Sequence, residues 1–366
     1  MVPVSSQPTS VRAGRTRKPV IAVTGAAGGI GATLAARLVA NPGVRKVIAI
    51  DDHRGELPDA TWRIADVRDP ALASKLSGID VLVHLALDLG VDASAVERRA
   101  LNVRGTTVAL TGAAAAGVKR VVLTTSAMVY GSQVPHDGPL GDDAEVLADP
   151  DDSVLGDLVE MEAVAARARR AHPWLEISIL RPAPLVGPGI DSVVTRHFEA
   201  PRLLVLRGSA PLWQFCHVED LVAALELAAT GPYLTSANVA GKGWLSQDDV
   251  ERVSGLRRIE LPASVAISTA ERLHRMGITP AASSELSFLV HPLVVTTAAL
   301  AAAGWVPVFD NEAALEVLLE ESARHTALGT RRVDRKDATR AAAASATVAL
   351  VGTAALVRRA RKRRRS

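Results

Sequence analysis

Residues Thr24–Gly31 read TGAAGGIG, and Gly25, Gly28 and Gly31 are spaced G-x-x-G-x-x-G. That spacing lets a chain turn sharply, bring bare backbone against a pyrophosphate and point helix N-terminal N–H groups at it. Gly29 and Ile30 lie in the same turn and join the candidate contact set. Asp51, twenty residues beyond Gly31, ends an apolar run. Its carboxylate suits an adenosine ribose diol and would repel a 2′-phosphate, so the expected cofactor is NAD rather than NADP. Arg54 nearby slightly weakens that discrimination, and Asp52 reads as a solvent-facing loop acid.

A glycine triplet alone is weak, and its meaning depends on the elements that hold it. The run Val20–Thr24 reads as a buried parallel strand, Ile30–Ala40 as a helix, and Val44–Ile50 as a second strand reached through the turn Asn41-Pro42-Gly43. Further strands are expected at Trp62–Ala65, Val81–Leu85, Arg120–Thr125 and Leu175–Leu180. Helical patterns cover Ala93–Gly117, about Ser153–Ala171, and Val218–Ala229. Six strands alternating with helices predict an α/β fold, a Rossmann-type doubly wound parallel sheet with a smaller C-terminal α/β lobe. The expected divisions are a disordered basic lead-in over 1–18, a dinucleotide-binding domain over 19–235 with some later segments returning to it, a substrate lobe over 236–330, and a basic tail over 331–366.

The chain has 366 residues, 48% of them hydrophobic, enough for one large core with an appendage. One cysteine, Cys216, excludes an internal disulfide and argues against a cysteine-based metal site. No metal is expected. The net charge of +3 conceals an asymmetry, because residues 19–330 carry 26 basic and 37 acidic side chains, or −11. The body is therefore a poor candidate for nucleic acid. A reducing cytoplasm fits, and no secretory signal is visible. Ala341–Val357 is seventeen uncharged residues followed by Arg358–Arg365 with seven basic residues in eight. Three readings stay open: an Ala-rich helix with a solvated basic tail, an anchor on an anionic membrane surface, and a short span.

Ordered motifs beyond the glycine turn narrow the fold further. They are ADVRD (Ala65–Asp69), VLVHLA (Val81–Ala86), NVRGT (Asn102–Thr106), TTSAMVYG (Thr124–Gly131), LRPAPLVGPG (Leu180–Gly189) and FCHVEDL (Phe215–Leu221), with a late GWVP (Gly304–Pro307). In this order the chain resembles the extended short-chain dehydrogenase/reductases, specifically the NAD-dependent epimerase/dehydratase group acting on nucleotide sugars. The resemblance covers roughly Val20–Ser322. It implies that Asp66 and Val67 lie against the adenine, and that Leu85 and Ala86 give backbone contacts to ribose and phosphates. It also implies that Ala183 packs at the nicotinamide, that Asn102 supports the active-site loop on the cofactor side, and that Ser126 is the catalytic serine. His217 and Asp220 match a stretch that holds the lobe interface. The implied partners are a nucleotide sugar or another small molecule, and a second copy of the chain in a homodimer.

The catalytic helix departs from the resemblance. The family carries Tyr-x-x-x-Lys there, and alignment on Glu160 and Glu162 puts Val154 at tyrosine and Leu158 at lysine. No register shift helps, since there is no lysine between Lys119 and Lys242 and no tyrosine between Tyr130 and Tyr233. The lysine would depress the tyrosine pKa so that a phenolate can take a hydroxyl proton, an assistance worth roughly 10²–10⁴ in rate. Asp157 and Glu160 are candidate replacement bases or simply solvated helix acids, and His136 is a candidate proton carrier; Tyr130 reads as packed beside the site. Pro184 stands where the family often has an asparagine touching the sugar diphosphate, and Arg196, Arg202 and Arg207 are candidate diphosphate ligands. Two expectations follow: an NAD-dependent oxidoreductase with an atypical site, or a non-catalytic NAD-binding regulatory or scaffold protein.

Overall fold

Val20–Thr24 (β1), Val81–His84 (β4) and Arg120–Thr124 (β5) are apolar on both faces and almost wholly buried, the signature of central parallel strands. With Lys46–Asp51 (β2), Thr61–Ile64 (β3), Glu176–Pro182 (β6) and Ser236–Val239 (β7) they form one parallel sheet in the order β7-β6-β5-β4-β1-β2-β3. This computed structural model describes residues 17–90, 93–132, 136, 138–275, 288–289, 293–328 and 331–334. The readings placed on residues 1–16 and on Ala341–Val357 with its basic end lie outside them. Among the described residues no helix is long and apolar enough to cross a membrane.

Alternate residues of each strand feed two layers. Ile21, Val23, Val81, Val83 and Val122 pack with Leu34, Ala35 and Leu38 of Gly29–Ala40 (α1) and with Leu221, Val222 and Leu225 of the helix Val218–Thr230. Ala22, Leu82, Val121 and Leu123 pack with Ala109, Leu110 and Ala113, and with Val164 and Ala165 of the helix Val154–Ala171. The result is a three-layer doubly wound sheet, as the pattern of the sequence implies.

Three details differ from the expectation. A seventh strand, Ser236–Val239, joins the sheet beside β6, although the pattern suggested six strands. The long helical stretch is continuous over residues 95–116 but widens to a π-turn at Ala100–Arg104, with the buried Asn102 inside it. The second lobe has its own core, and it draws on residues well before the expected start at 236: Val194, Phe198, Trp213 and Phe215 pack with Phe288, Leu315 and Leu318.

Candidate functional site

The sheet's direction of winding reverses between β1 and β4, and open α/β sheets bind ligands at that point, outside the carboxyl ends of their strands. A cleft enclosing about 640 Å³ lies there. Its lining includes Gly25, Gly28, Gly29, Ile30 and Gly31 from the glycine turn, Asp51 from the end of β2, Asp66 and Val67, and Leu85 and Ala86 beyond β4.

The turn is built for close approach. Gly25 has φ +69, and a Cβ on Gly31 would stand 2.0 Å from the Gly25 carbonyl oxygen, so neither position has room for a side chain. A Cβ on Gly28 would meet no protein atom within 4 Å among the described residues, because this residue borders the cleft. Gly28 caps α1, whose first N–H groups open onto the same space. Asp51 braces the turn, accepting from Ala27 N at 2.9 Å and from Asp52 N at 2.9 Å. Thr24 Oγ1 ties β1 to the next loop by accepting from Leu85 N (3.1 Å) and Ala86 N (3.3 Å). With those two bonds taken, its proton points to Nδ1 of His84 at 2.8 Å.

Electrostatics favour one class of dinucleotide. Asp51, Asp52, Asp66, Asp88 and Glu97 line the cleft against one cation among the described residues, Arg68. Arg68 clasps Asp66 through Nε (2.9 Å) and Nη2 (2.8 Å), and these hydrogen bonds hold the Asp66 carboxyl below its ordinary range. Asp52 is lowered as well, mainly by its hydrogen bond with His53. An extra phosphate near Asp51 would meet a carboxylate that is paired with no cation among the described residues. Arg68 was not singled out from the sequence, although it stands two residues after Asp66 inside the quoted ADVRD.

Asn102, expected on the cofactor side, does not itself line the cleft and acts through the loop beyond β4. It is fully buried, and its amide is spent on the loop beyond β4: Oδ1 accepts from Asp88 N (2.8 Å), while Nδ2 donates to Asp88 O (2.8 Å) and to Asp157 Oδ2 (3.3 Å). The π-turn turns this residue toward that loop and so fixes one wall of the site.

A smaller chamber of about 290 Å³ adjoins the cleft and shares Ile30, Leu89, Leu185 and Ile190 with it. Ser126 and Ala183 line it, as do Val154 and Leu158, the positions aligned with tyrosine and lysine. No tyrosine, lysine, arginine or histidine of the described residues lines it. Ser126 begins a short 3-10 turn, and its Oγ accepts from Met128 N at 3.2 Å. Val154 and Leu158 are held by the start of their helix. Ser153 Oγ caps it by accepting from Gly156 N, and a Cβ on Gly156 would fall 2.0 Å from Asp151 O, so the incoming loop crosses directly over that glycine.

The candidate replacement bases are committed elsewhere. Asp157 is neither solvated nor turned into the chamber: it is fully buried and accepts from Arg98 Nε at 2.9 Å, with Arg99 Nη1 at 3.6 Å. Glu160 pairs with Arg99. His136 Nε2 lies 2.7 Å from Gly131 O and is not among the chamber's lining residues. Tyr130 is buried with its hydroxyl donating to Asn238 Oδ1 (2.7 Å) and accepting from Arg181 Nη1 (3.0 Å), and burial raises its pKa. Arg181 in turn forms a buried two-point pair with Glu162, at 2.8 Å for each bond. His217 stacks on Phe309 and Asp220 accepts from Val308 N and Phe309 N, so both tie the second lobe to the sheet domain. Of the candidate diphosphate ligands, Arg196 is clasped by Asp191 at 2.8 and 2.7 Å, while Arg202 and Arg207 are exposed.

Comparison with known proteins matches this geometry. A family model described as NAD dependent epimerase/dehydratase family matches residues 21–239. Rv0501, an uncharacterized protein of Mycobacterium tuberculosis, is 30% identical over 255 residues, which is 66% of this chain and 67% of its own. Among solved structures, the chain is similar to MoeE5 in complex with UDP-glucose and NAD, with 25% identity and a TM-score of 0.59 over 83% of this chain and 98% of that one. It also shares the fold of UDP-glucose 4-epimerase from Thermotoga maritima with UDP-glucose, with 18% identity and a TM-score of 0.60 over 82% and 97% of the two chains.

Proposed function

The chain belongs to the NAD-dependent epimerase/dehydratase family, and from that premise we propose that it binds NAD but lacks the acid–base couple for rapid sugar chemistry. The observation that carries this reading is the contrast between two adjoining spaces. The cleft has a bare glycine turn, a helix N-terminus and a ribose-binding acid. The chamber beside it has Val154 and Leu158 where a proton would have to move. MoeE5 with NAD bound supports the choice of cofactor, and the carboxylates around Asp51 support NAD over NADP. When bound, NAD would supply a hydride acceptor at its nicotinamide. Gly25, Gly28 and Gly31 would admit its pyrophosphate, Asp51 its adenosine ribose, and Asp66 and Val67 its adenine, with Ala183 at the nicotinamide end. Ser126 can orient a hydroxyl there, but a serine cannot take its proton near neutral pH without a partner.

A nucleotide-sugar oxidoreductase with an atypical site is the second reading, favoured by Ser126 at the chamber and by solved relatives bound to UDP-glucose. A cytoplasmic homodimer, held at an anionic membrane surface by its basic tail, completes the proposal. The deciding experiment is calorimetric titration of NAD into the wild type and Asp51→Ala. Loss of charge-assisted hydrogen bonds, each worth about 1.5–3 kcal/mol, should weaken NAD by about 10- to 100-fold. Equal affinities refute the Asp51 assignment. Turnover of UDP-glucose should be slow or absent, and rapid epimerisation would establish the second reading.

A further inference from the structure

The chamber beside the cleft has four polar side chains of its own, Thr125, Ser126, Asp191 and Ser192, and each takes part in a hydrogen bond within the protein. Thr125 Oγ1 donates to Glu162 at 2.8 Å, and both Asp191 carboxylate oxygens receive Arg196. Ser192 Oγ caps the helix Val193–Glu199 by accepting from Thr195 N at 3.2 Å. Ser126 Oγ accepts in the same way, from Met128 N, so each of these two serines keeps a hydroxyl proton to donate, and Ser126 is the one at the carboxyl end of the sheet, just beyond β5. Around it stand Met128, Val154, Leu158, Pro184 and Val193, with no cation among the described lining residues.

A diphosphate placed here would lose its water and gain no counter-charge, which is strongly unfavourable. A hydrocarbon body would gain contact along the apolar wall and break no hydrogen bond within it. We propose that the chamber holds an uncharged, largely apolar alcohol or carbonyl compound, its oxygen at Ser126 and its body against the apolar wall. Placing that compound next to a nicotinamide rests on reading the neighbouring cleft as the NAD site; the chamber's own chemistry does not. The size, about 290 Å³, suits a ligand at the small end of the usual range.

Prodan tests this directly, being an uncharged ketone whose emission shifts to the blue in apolar surroundings. The full-length protein should bind it saturably, decanol should displace it, and UDP-glucose should not. Val154 and Val193 are the first residues of their helices, where aspartate is well tolerated, so Val154→Asp and Val193→Asp place a charge in the wall of a folded protein. Each should weaken prodan at least about tenfold, with melting temperature unchanged. The inference is overturned if the wild type binds no prodan saturably, if UDP-glucose displaces it, or if both folded variants bind it as the wild type does. Parallel titrations with and without NAD keep the two readings apart. A failure to bind NAD counts against the cleft alone, because prodan is read in the NAD-free protein as well.

Discussion

Lowering the pH should destabilise this protein through two histidines in apolar surroundings, the buried His84 and the half-buried His197. His197 lies inside the second lobe, stacked on Trp213 (ring centroids 5.3 Å apart) and edge-on to Phe198 (5.5 Å) and Phe288 (6.3 Å). Among the described residues its Nε2 has no hydrogen-bond partner, and neither does Nε2 of His84. Burial lowers both imidazoles from 6.5 to about 4. A lowered histidine pKa means that the unfolded chain takes up the proton first. The penalty is absent above pH 6.5, grows as pH falls, and levels off below about 4. Every tenfold loss of proton affinity on folding is worth about 1.4 kcal/mol, so each histidine costs about 3 kcal/mol over that window. Attraction of the imidazolium to the Trp213 face would return up to about 2 kcal/mol, which trims the loss at His197 without reversing it. Against a total stability of about 5–15 kcal/mol the pair is decisive. Carboxylates also titrate in this range, so the assay is a difference: urea unfolding of the wild type and His197→Phe from about pH 7 down to about 4.5. The variant should gain on the wild type by about 1–3 kcal/mol across the range. A difference that stays flat with pH would show that His197 titrates as an ordinary solvated imidazole.

Two further outcomes are expected. Arg98→Leu leaves the fully buried Asp157 without its 2.9 Å partner and should cost about 3–5 kcal/mol in urea unfolding at neutral pH, whereas a surface ion pair would cost at most about 1. Truncation before Ala341 removes the seven basic residues in Arg358–Arg365 and should abolish sedimentation with phosphatidylserine vesicles at low salt; equal sedimentation of both forms would dismiss the anchor.

Legibility in the sequence followed how local each feature is. The cleft is assembled from backbone at strand ends, so each contact sits inside a short motif beside an apolar run, and Gly25, Gly28–Gly31, Asp51, Asp66 and Leu85–Ala86 all fall on its lining. β1 and β4 declare themselves because both faces are buried and nearly every residue is apolar. β7 is SANV, four residues with two small polar ones, and carries no such mark until β6 is there to pair with it. The buried ion pairs are harder still. Arg98 and Asp157 are 59 positions apart, and on its own helix Asp157 looks like any first-turn acid. What assigns it is the helix packed opposite, where the π-turn brings Asn102 onto the same carboxylate. That arrangement also explains why Asp157 cannot stand in for the missing tyrosine. Its charge is already balanced by Arg98, and turning it toward Ser126 would break that buried pair at a cost of about 3–5 kcal/mol, as much as general-base assistance of roughly 10²–10⁴ in rate could return.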